Sequence, residues 1–419
     1  MNWNATNIPV ADSKHFETLN GLWTGKKKPF VEAGVIRNTN FTPSGVIDYS
    51  NVAYLQVEER QLSKRRLEAG DVILERSGGG PKQPVGRVVF FDREDGDFSF
   101  SNFTSAVRVK DKATFDPQFV FYGLMELYQS GQTEDIQRRT TGIRNLDFTA
   151  YKERARFPKI PLPEQKKIAH LLSTVQRAIE AQERIIQTTT ELKNVLMHKL
   201  FTEGLRHEPQ KQTEIGPVPA SWEVVEIGDL GTCVTGSTPK TSVPSFYDPP
   251  SEDFIAPGDL GTHRYIYDSE KKISPEGIAT IRPIPKNAVM CVCIGSSIGK
   301  VGMSYREKSA TNQQINSIIC REGRDPEFVY FILSYRSEYW KSFATFGPVP
   351  ILSKGRFSTI VVPIPSSLED QQAIAKPLIA LEAKIEVAEK KVAALQDIFR
   401  TLLHELMTAK TRVHTADIK

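Results

Sequence analysis

The chain reads as an α+β protein, with two mixed α/β domains separated by two long antiparallel coiled-coil helices and pseudo-two-fold symmetry between the halves. Three observations predict this. A charged helical pattern from Gln165 to Thr202 returns from Gln371 to Thr408, 206 positions later. Each copy follows a globular stretch of about 150 residues. Those stretches end alike, in Thr141-Gly142-Ile143-Arg144-Asn145-Leu146 and Gly347-Pro348-Val349-Pro350-Ile351-Leu352, with Leu352 again 206 beyond Leu146. The repeat unit is therefore a whole domain plus its helix. The expected boundaries are a first domain at 1–157, a helical spacer at 158–208, a second domain with a leading linker at 209–361, and a second spacer at 362–419.

Gln165/Gln371, Ile168/Ile374, Ala169/Ala375, Leu172/Leu378, Ile179/Ile385, His198/His404 and Leu200/Leu406 are shared between the copies. In the second copy Ile374, Leu378, Leu381, Ile385, Ala388, Val392, Leu395, Phe399, Leu402 and Leu406 alternate steps of four and three. That is an a/d heptad seam. The first copy carries Gln182, Thr189 and Lys193 at matching positions, so its seam is weaker. Alone, each helix would expose its seam; a parallel or an antiparallel pair would bury it, and the antiparallel pair is expected because the connecting domain of about 150 residues can then sit at the opposite end. Two separate surface helices, each capping one domain, is the plainer alternative. Pro377 predicts a short turn over 369–376 with the main helix after it, because an internal proline removes a hydrogen bond. Phe157-Pro158-Lys159-Ile160-Pro161-Leu162-Pro163 and Val362-Pro363-Ile364-Pro365 read as extended, rigid joints before the helices, and Glu203 to Pro219 as a linker.

The globular halves show short apolar runs bounded by Gly, Pro and Asn. Strands are expected at 70–74, 86–91, 106–109, 254–256, 288–294, 301–305 and 315–320, and helices at 117–130 and 326–343.

Composition excludes little. The net charge of +4 permits a nucleic-acid partner without implying one. Of the four cysteines, Cys233, Cys291, Cys293 and Cys320, the pair Cys291 and Cys293 shares one face of a strand and reads as buried thiols. No second Cys/His pair stands at ligand spacing, so neither metal nor cofactor is expected. No secretory signal or membrane-length apolar span is visible, and a cytoplasmic location is expected.

Several strings imitate catalytic motifs. Gly295-Ser296-Ser297-Ile298-Gly299-Lys300-Val301 is one residue short of a phosphate loop and has Val301 where Ser or Thr must hold magnesium. Tyr247-Asp248-Pro249-Pro250-Ser251 lacks the aromatic that stacks on a flipped adenine, and no glycine-rich cofactor fingerprint accompanies it. His404-Glu405 has Thr408 where a second zinc ligand would stand.

Ordered matches then accumulate in the second half: Trp222-Glu223-Val224-Val225, Gly228-Asp229-Leu230-Gly231, Thr235-Gly236-Ser237-Thr238-Pro239, Pro257-Gly258-Asp259-Leu260, Ile294 to Gly302, and Ala310 to Asn316. With Pro161-Leu162-Pro163-Glu164-Gln165 and Pro365 to Gln371, these resemble the specificity subunits of type I restriction–modification enzymes over essentially the whole chain. The first half departs from the pattern. It has Arg76 to Arg87 in place of the Ile-Gly-Ser-Ser-Ile-Gly-Lys run, and Ser101-Asn102-Phe103 in place of the amides.

The resemblance implies a non-catalytic reader of double-stranded DNA. Each domain would recognise one part of a bipartite target, and the helices would set the spacer. Two methyltransferase subunits would dock on the chain, with ATP-dependent restriction subunits joining them. Base edges are read by Arg or Lys at guanine and Asn or Gln at adenine, while phosphate contacts only position the protein. The expected contacts are Arg76, Lys82, Gln83, Arg87, Asn102, Arg138, Arg139 and Arg144 in the first half. In the second they are Thr238, Lys240, Ser296, Lys300, Asn312, Gln313, Gln314, Lys354 and Arg356. Turn capping is the competing role for Asn312. Lys26-Lys27-Lys28 and Lys64-Arg65-Arg66 read as solvated surface. A self-contained adenine methyltransferase and a coiled-coil adaptor without DNA function are the alternatives.

Overall fold

A computed structural model describes residues 7–23, 25–80, 83–140, 143–345 and 347–413, with only the backbone at 139 and 140. Two compact units result: Met1–Arg184 with Glu389–Lys419, and Ile185–Ala388. Each unit thus holds one globular domain and one half of each long helix.

The first unit is built on four antiparallel strands, β1 (Phe16–Asn20), β2 (Val72–Glu75), β3 (Val88–Phe90) and β4 (Thr104–Val109), in the order β1-β4-β2-β3. Helix α1 (Pro117–Gln129) packs Phe119, Tyr122 and Leu124 into the core, where the first turns of the long helix α2 (Leu162–Glu203) bury Ile168 and Leu172. The second unit repeats this with β5 (Gly231–Thr235), β6 (Val289–Val292), β7 (Val301–Ser304) and β8 (Ile315–Cys320), in the order β5-β8-β6-β7, and adds a fifth, parallel edge strand, Tyr265–Ile266, beside β7. Helix α3 (Pro326–Tyr335) stands where α1 did, and α4 (Leu368–Met407) buries Ile374 and Leu378 as α2 buried its counterparts.

One glutamine fastens domain to helix in each unit, by the same bonds. Gln165 Oε1 accepts from Asp116 N (2.9 Å), and its Nε2 donates to Thr114 O and Ile160 O. Gln371 Oε1 accepts from Asp325 N (2.9 Å), and its Nε2 donates to Gly323 O and Pro365 O. Asp116 and Asp325 are themselves N-caps of α1 and α3, each followed by a proline that prefers that first helical position. A second tie is equivalent in place and different in chemistry. His404 Nδ1 meets Glu126 Oε1 on α1, and His198 Nδ1 meets Tyr335 Oη on α3, both at 2.8 Å.

Within each unit the halves of α2 and α4 run antiparallel. In the first, Arg412, just beyond α4, forks onto Glu164 at the start of α2, and Phe399 and Leu403 share the core with Ile179 and Leu172. In the second, Lys193 reaches Glu382 (3.2 Å), while Arg206 forks onto Asp370. The polar seam position Lys193 is thereby explained. It neutralises Glu382, whose carboxyl is pushed above its usual range by burial and drawn back by Lys193 and Arg264. At the matching place in the first unit Phe399 lies against Tyr122, whose hydroxyl donates to Gln176 (3.0 Å).

Four expectations need correction. Pro377 lies inside a continuous helix from Leu368 to Met407. Ile374, Ala375 and Leu378 around it are all buried, and that packing outweighs a cost of about 3 kcal/mol for an internal proline. The helix expected over 326–343 is two, Pro326–Tyr335 and Ser337–Lys341. The break lets the fully buried Trp340 donate from Nε1 to Leu333 O (2.8 Å). The 203–219 linker contains a hairpin pairing Gln210–Thr213 with Gly216–Pro219. The first proline joint is shorter than expected, since Leu162 and Pro163 already belong to the helix; its Arg156–Pro158 pairs with Asn7–Pro9, while the second joint is extended as expected, Val361–Pro365 pairing with Trp222–Glu226.

Candidate nucleic-acid interface

Most of the expected contact residues sit on loops that the shared sheet positions alike in both units; Arg138, Arg139 and Arg144 lie on short strands, and Lys354 and Arg356 on a short helix. The crossing point is the same set of backbone bonds. Arg76 N donates to Phe103 O (2.9 Å) and Leu146 N to Arg76 O (2.8 Å); Cys293 N donates to Gln314 O (2.8 Å) and Leu352 N to Cys293 O (2.8 Å). The next glycines, Gly78 and Gly295, both adopt positive φ, at 112° and 94°. Each loop closes on another such glycine, Gly86 (115°) and Gly299 (103°), before Arg87 and Lys300. The two loops thus share entry and exit and differ in length.

A second pair of glycines brings β1 and β5 against the neighbouring turn. An added Cβ at Gly21 would stand 1.8 Å from Ser101 O, and one at Gly236 would stand 2.1 Å from Asn312 O. Backbone has no room to yield there. Gly21→Ala and Gly236→Ala should each destabilise their unit by about 3 kcal/mol, read as a lowered urea midpoint.

In the second unit four loops converge. Ser237 N donates to Thr311 O (2.9 Å), Thr238 Oγ1 to Gln313 Oε1 (2.8 Å), Gln314 Nε2 to Ile294 O (3.3 Å), and Gly295 N to Pro350 O (2.9 Å). Thr238, Ser296 and Gln313 are exposed on this surface, and Lys240 lies exposed two residues beyond Thr238. Asn312 caps its own turn, since Oδ1 accepts from Gln314 N and Nδ2 donates to Gln314 Oε1, both at 3.0 Å. Gln313 is therefore the amide of the three that faces outward, held by Thr238. Lys300 is half-buried and donates to Pro257 O (3.3 Å). Lys354 and Arg356 are exposed on a short helix capped by Ser353, with Arg356 also over the Phe343 ring.

The first unit spends more of its expected contacts internally. Arg87 forks onto Glu75 (2.8 and 2.9 Å), which is only 2% exposed, and this hydrogen bonding holds the guanidinium pKa up. It also donates to Asn38 O (3.3 Å), the counterpart of the Lys300 tie. Arg76 donates to Asn20 Oδ1 (3.0 Å) and lies over Phe148, and burial lowers its pKa. Arg138 pairs with Asp147 (2.9 Å) on the surface, and Gln83 is exposed. Asn102 is half-buried in the turn before β4, and Arg144 lies on a strand beside Arg139 and Gly79. Lys82, Thr141, Gly142 and the Arg139 side chain lie outside the described residues. Arg87→Met should cost about 3 kcal/mol of stability by stranding Glu75. A residue touching only phosphate would leave the urea midpoint unchanged, so the measurement separates the two roles.

Sequence reasoning passed over Trp23, which is 67% exposed beside this surface. It also divided what the fold joins: Lys26, Lys27, Arg60, Lys64 and Arg65 line one cleft of about 330 Å³ with Glu58. Cys291 and Cys293 are both buried, and burial pushes the Cys293 thiol up to about 12. Among the described residues no group of three His, Cys, Asp or Glu side chains could hold a metal, and no helix is long and apolar enough to cross a membrane.

The family described as the type I restriction modification DNA specificity domain matches residues 10–190 and 219–397, once in each half. The chain belongs to this family. It is accordingly a DNA-sequence-recognition component of a type I restriction–modification system. A protein named as the MjaX type I restriction enzyme specificity subunit of Methanocaldococcus jannaschii is 27% identical over 418 residues, covering 94% of this chain and 91% of that protein. The MjaIX specificity subunit of the same organism is 31% identical over 208 residues, 48% of this chain and 47% of that protein. The crystal structure of a type I restriction–modification S subunit from M. genitalium superposes with a TM-score of 0.62 at 19% identity, covering 97% of this chain and 96% of that one. That likeness establishes the fold.

Proposed function

We propose that each unit reads one part of a bipartite duplex site and that the chain carries no catalytic groups of its own. The observation that carries this is a single loop address occupied by different chemistry. The turn before the central strand is Ser101-Asn102-Phe103 in one unit and Asn312-Gln313-Gln314 in the other, each held against a tight glycine. A conserved support with divergent side chains suits two half-sites of different sequence. Helices of 42 and 40 residues, about 60 Å long, suit a ruler between them. Half-sites on one face of DNA recur every 34–36 Å or so. Methyl transfer to adenine would come from two methyltransferase subunits docked on the helices and domains. Cleavage would come from ATP-dependent restriction subunits.

The test replaces residues 1–157 by those of a relative, in cells that hold the methyltransferase subunits, and maps the modified DNA motif. One part of the motif should change and the other remain. Both parts changing together would defeat the two-reader scheme. A seven-residue helical insertion near Ala181, matched in the partner helix, should lengthen the spacer and leave both half-sites unaltered. Methyl transfer by the purified chain alone, given labelled S-adenosylmethionine and DNA, would overturn the non-catalytic role.

A further inference from the structure

We propose that Trp23 is a base-reading residue of the first unit, recognising the 5-methyl group of a thymine in the major groove while the adjoining cleft of Lys26, Lys27, Lys64 and Arg65 holds phosphates of the same half-site. This rests on the proposed reading of DNA by this surface and adds a residue and a chemistry to it.

The tight glycines Gly21 and Gly236 mark equivalent points of the two units. Asn20 faces Ser105 across β1 and β4 as Thr235 faces Asn316 across β5 and β8, so the residues that follow correspond one to one. Gly21 takes the place of Gly236, Leu22 of Ser237, and Trp23 of Thr238. On the other side of the crossing, Asn102 takes the place of Gln313 and Phe103 of Gln314. In the second unit this address is polar, with Thr238 clamping the exposed amide of Gln313. In the first it is aromatic: Trp23 is 67% and Phe103 50% exposed. Leu22 between them is buried and bridged to Ser101, so the backbone beneath the indole is fixed. An exposed indole next to that bridged leucine contributes nothing to the core and presents an apolar face outward. In the major groove, the apolar feature on a base edge is the thymine methyl.

The charge beside it has the complementary use. Lys26 and Lys27 follow Trp23 on the same loop, and the fold brings Lys64 and Arg65 to them. Arg65 Nε donates to Asn20 O (3.1 Å), which ties the cleft to the end of β1. Glu58, 8% exposed, accepts from Lys27 N (3.3 Å) and anchors the loop from below. Lys26 and Lys64 remain exposed at the rim. Cations that contact phosphate lower affinity uniformly when removed and flatten the salt dependence, whereas a base contact changes the preference.

The experiment uses the chain with its methyltransferase subunits and a duplex carrying the mapped motif. Each thymine of the first half-site is replaced in turn by uracil, which lacks only the methyl. Wild type should lose roughly 3–10-fold in affinity at one position, and Trp23→Ala should lose nothing further there. Trp23→Ala should keep the urea midpoint of wild type, since the ring is exposed. Lys26→Gln with Lys64→Gln should weaken all sequences equally and lower the slope of log K against log salt by about two. No uracil effect in wild type, or an equal uracil effect in Trp23→Ala, overturns the assignment. If Gln313→Ala still alters the second half-site in that case, only the Trp23 proposal has failed. If neither variant changes any preference, the DNA-reading surface itself is wrong.

Discussion

Gln371→Leu should lower the free energy of unfolding of its unit by about 3–5 kcal/mol, and Gln165→Leu should do the same in the other. Both glutamines are fully buried, and each satisfies one half-buried backbone N–H, one fully buried carbonyl, of Ile160 or Pro365, and a second carbonyl nearer the surface. Leucine fills the volume and strands the buried carbonyl and the half-buried N–H, at about 1–3 kcal/mol each before relaxation. Glutamate is the sharper control. It can still accept from Asp325 N, but sets a carboxylate against Gly323 O and Pro365 O, so Gln371→Glu should be no better than leucine. Urea titration followed by far-ultraviolet circular dichroism reads the effect. A loss below about 1 kcal/mol would mean the joint between domain and helix is held elsewhere.

The second large effect concerns recognition. On the proposed division of reading between the units, Gln313→Ala should lose about 10–100-fold at a single base pair of the second unit's half-site, and little at any other. Asn312 is committed to its turn and Gln314 reaches back to Ile294 O, which leaves Gln313 to face outward. Thr238 fixes its amide, so Thr238→Val should give a weaker version of the same change, through a freed rotamer rather than a lost contact. Binding measured against every single-base variant of the half-site decides it. A loss spread evenly over all variants would assign Gln313 to general positioning.

Much of this was legible from residue order. The heptad seam, the repeat and the strands around Ile315–Cys320 are periodic signals, and periodicity survives in one dimension. Local rules failed where tertiary packing outbid them. Pro377 was expected to restart a helix, yet the buried residues on either side keep it continuous. Trp340 broke the expected helix at Arg336 by taking a carbonyl seven residues back.

The candidate surface was legible in kind more than in role. Arg87 and Gln313 have equal standing as donors in a string of letters. Only folding places Glu75 against the first and solvent against the second. Lys26 and Lys64 are 38 positions apart and looked like separate solvated runs until one cleft received both. Duplication with a helical seam could be counted from the chain, because spacing is a local property. Which charged or amide groups face outward required the folded molecule, because a side chain's partner is chosen in space: Coulomb and hydrogen-bond energies depend on separation, angle and local dielectric, none of which follows from position along the chain.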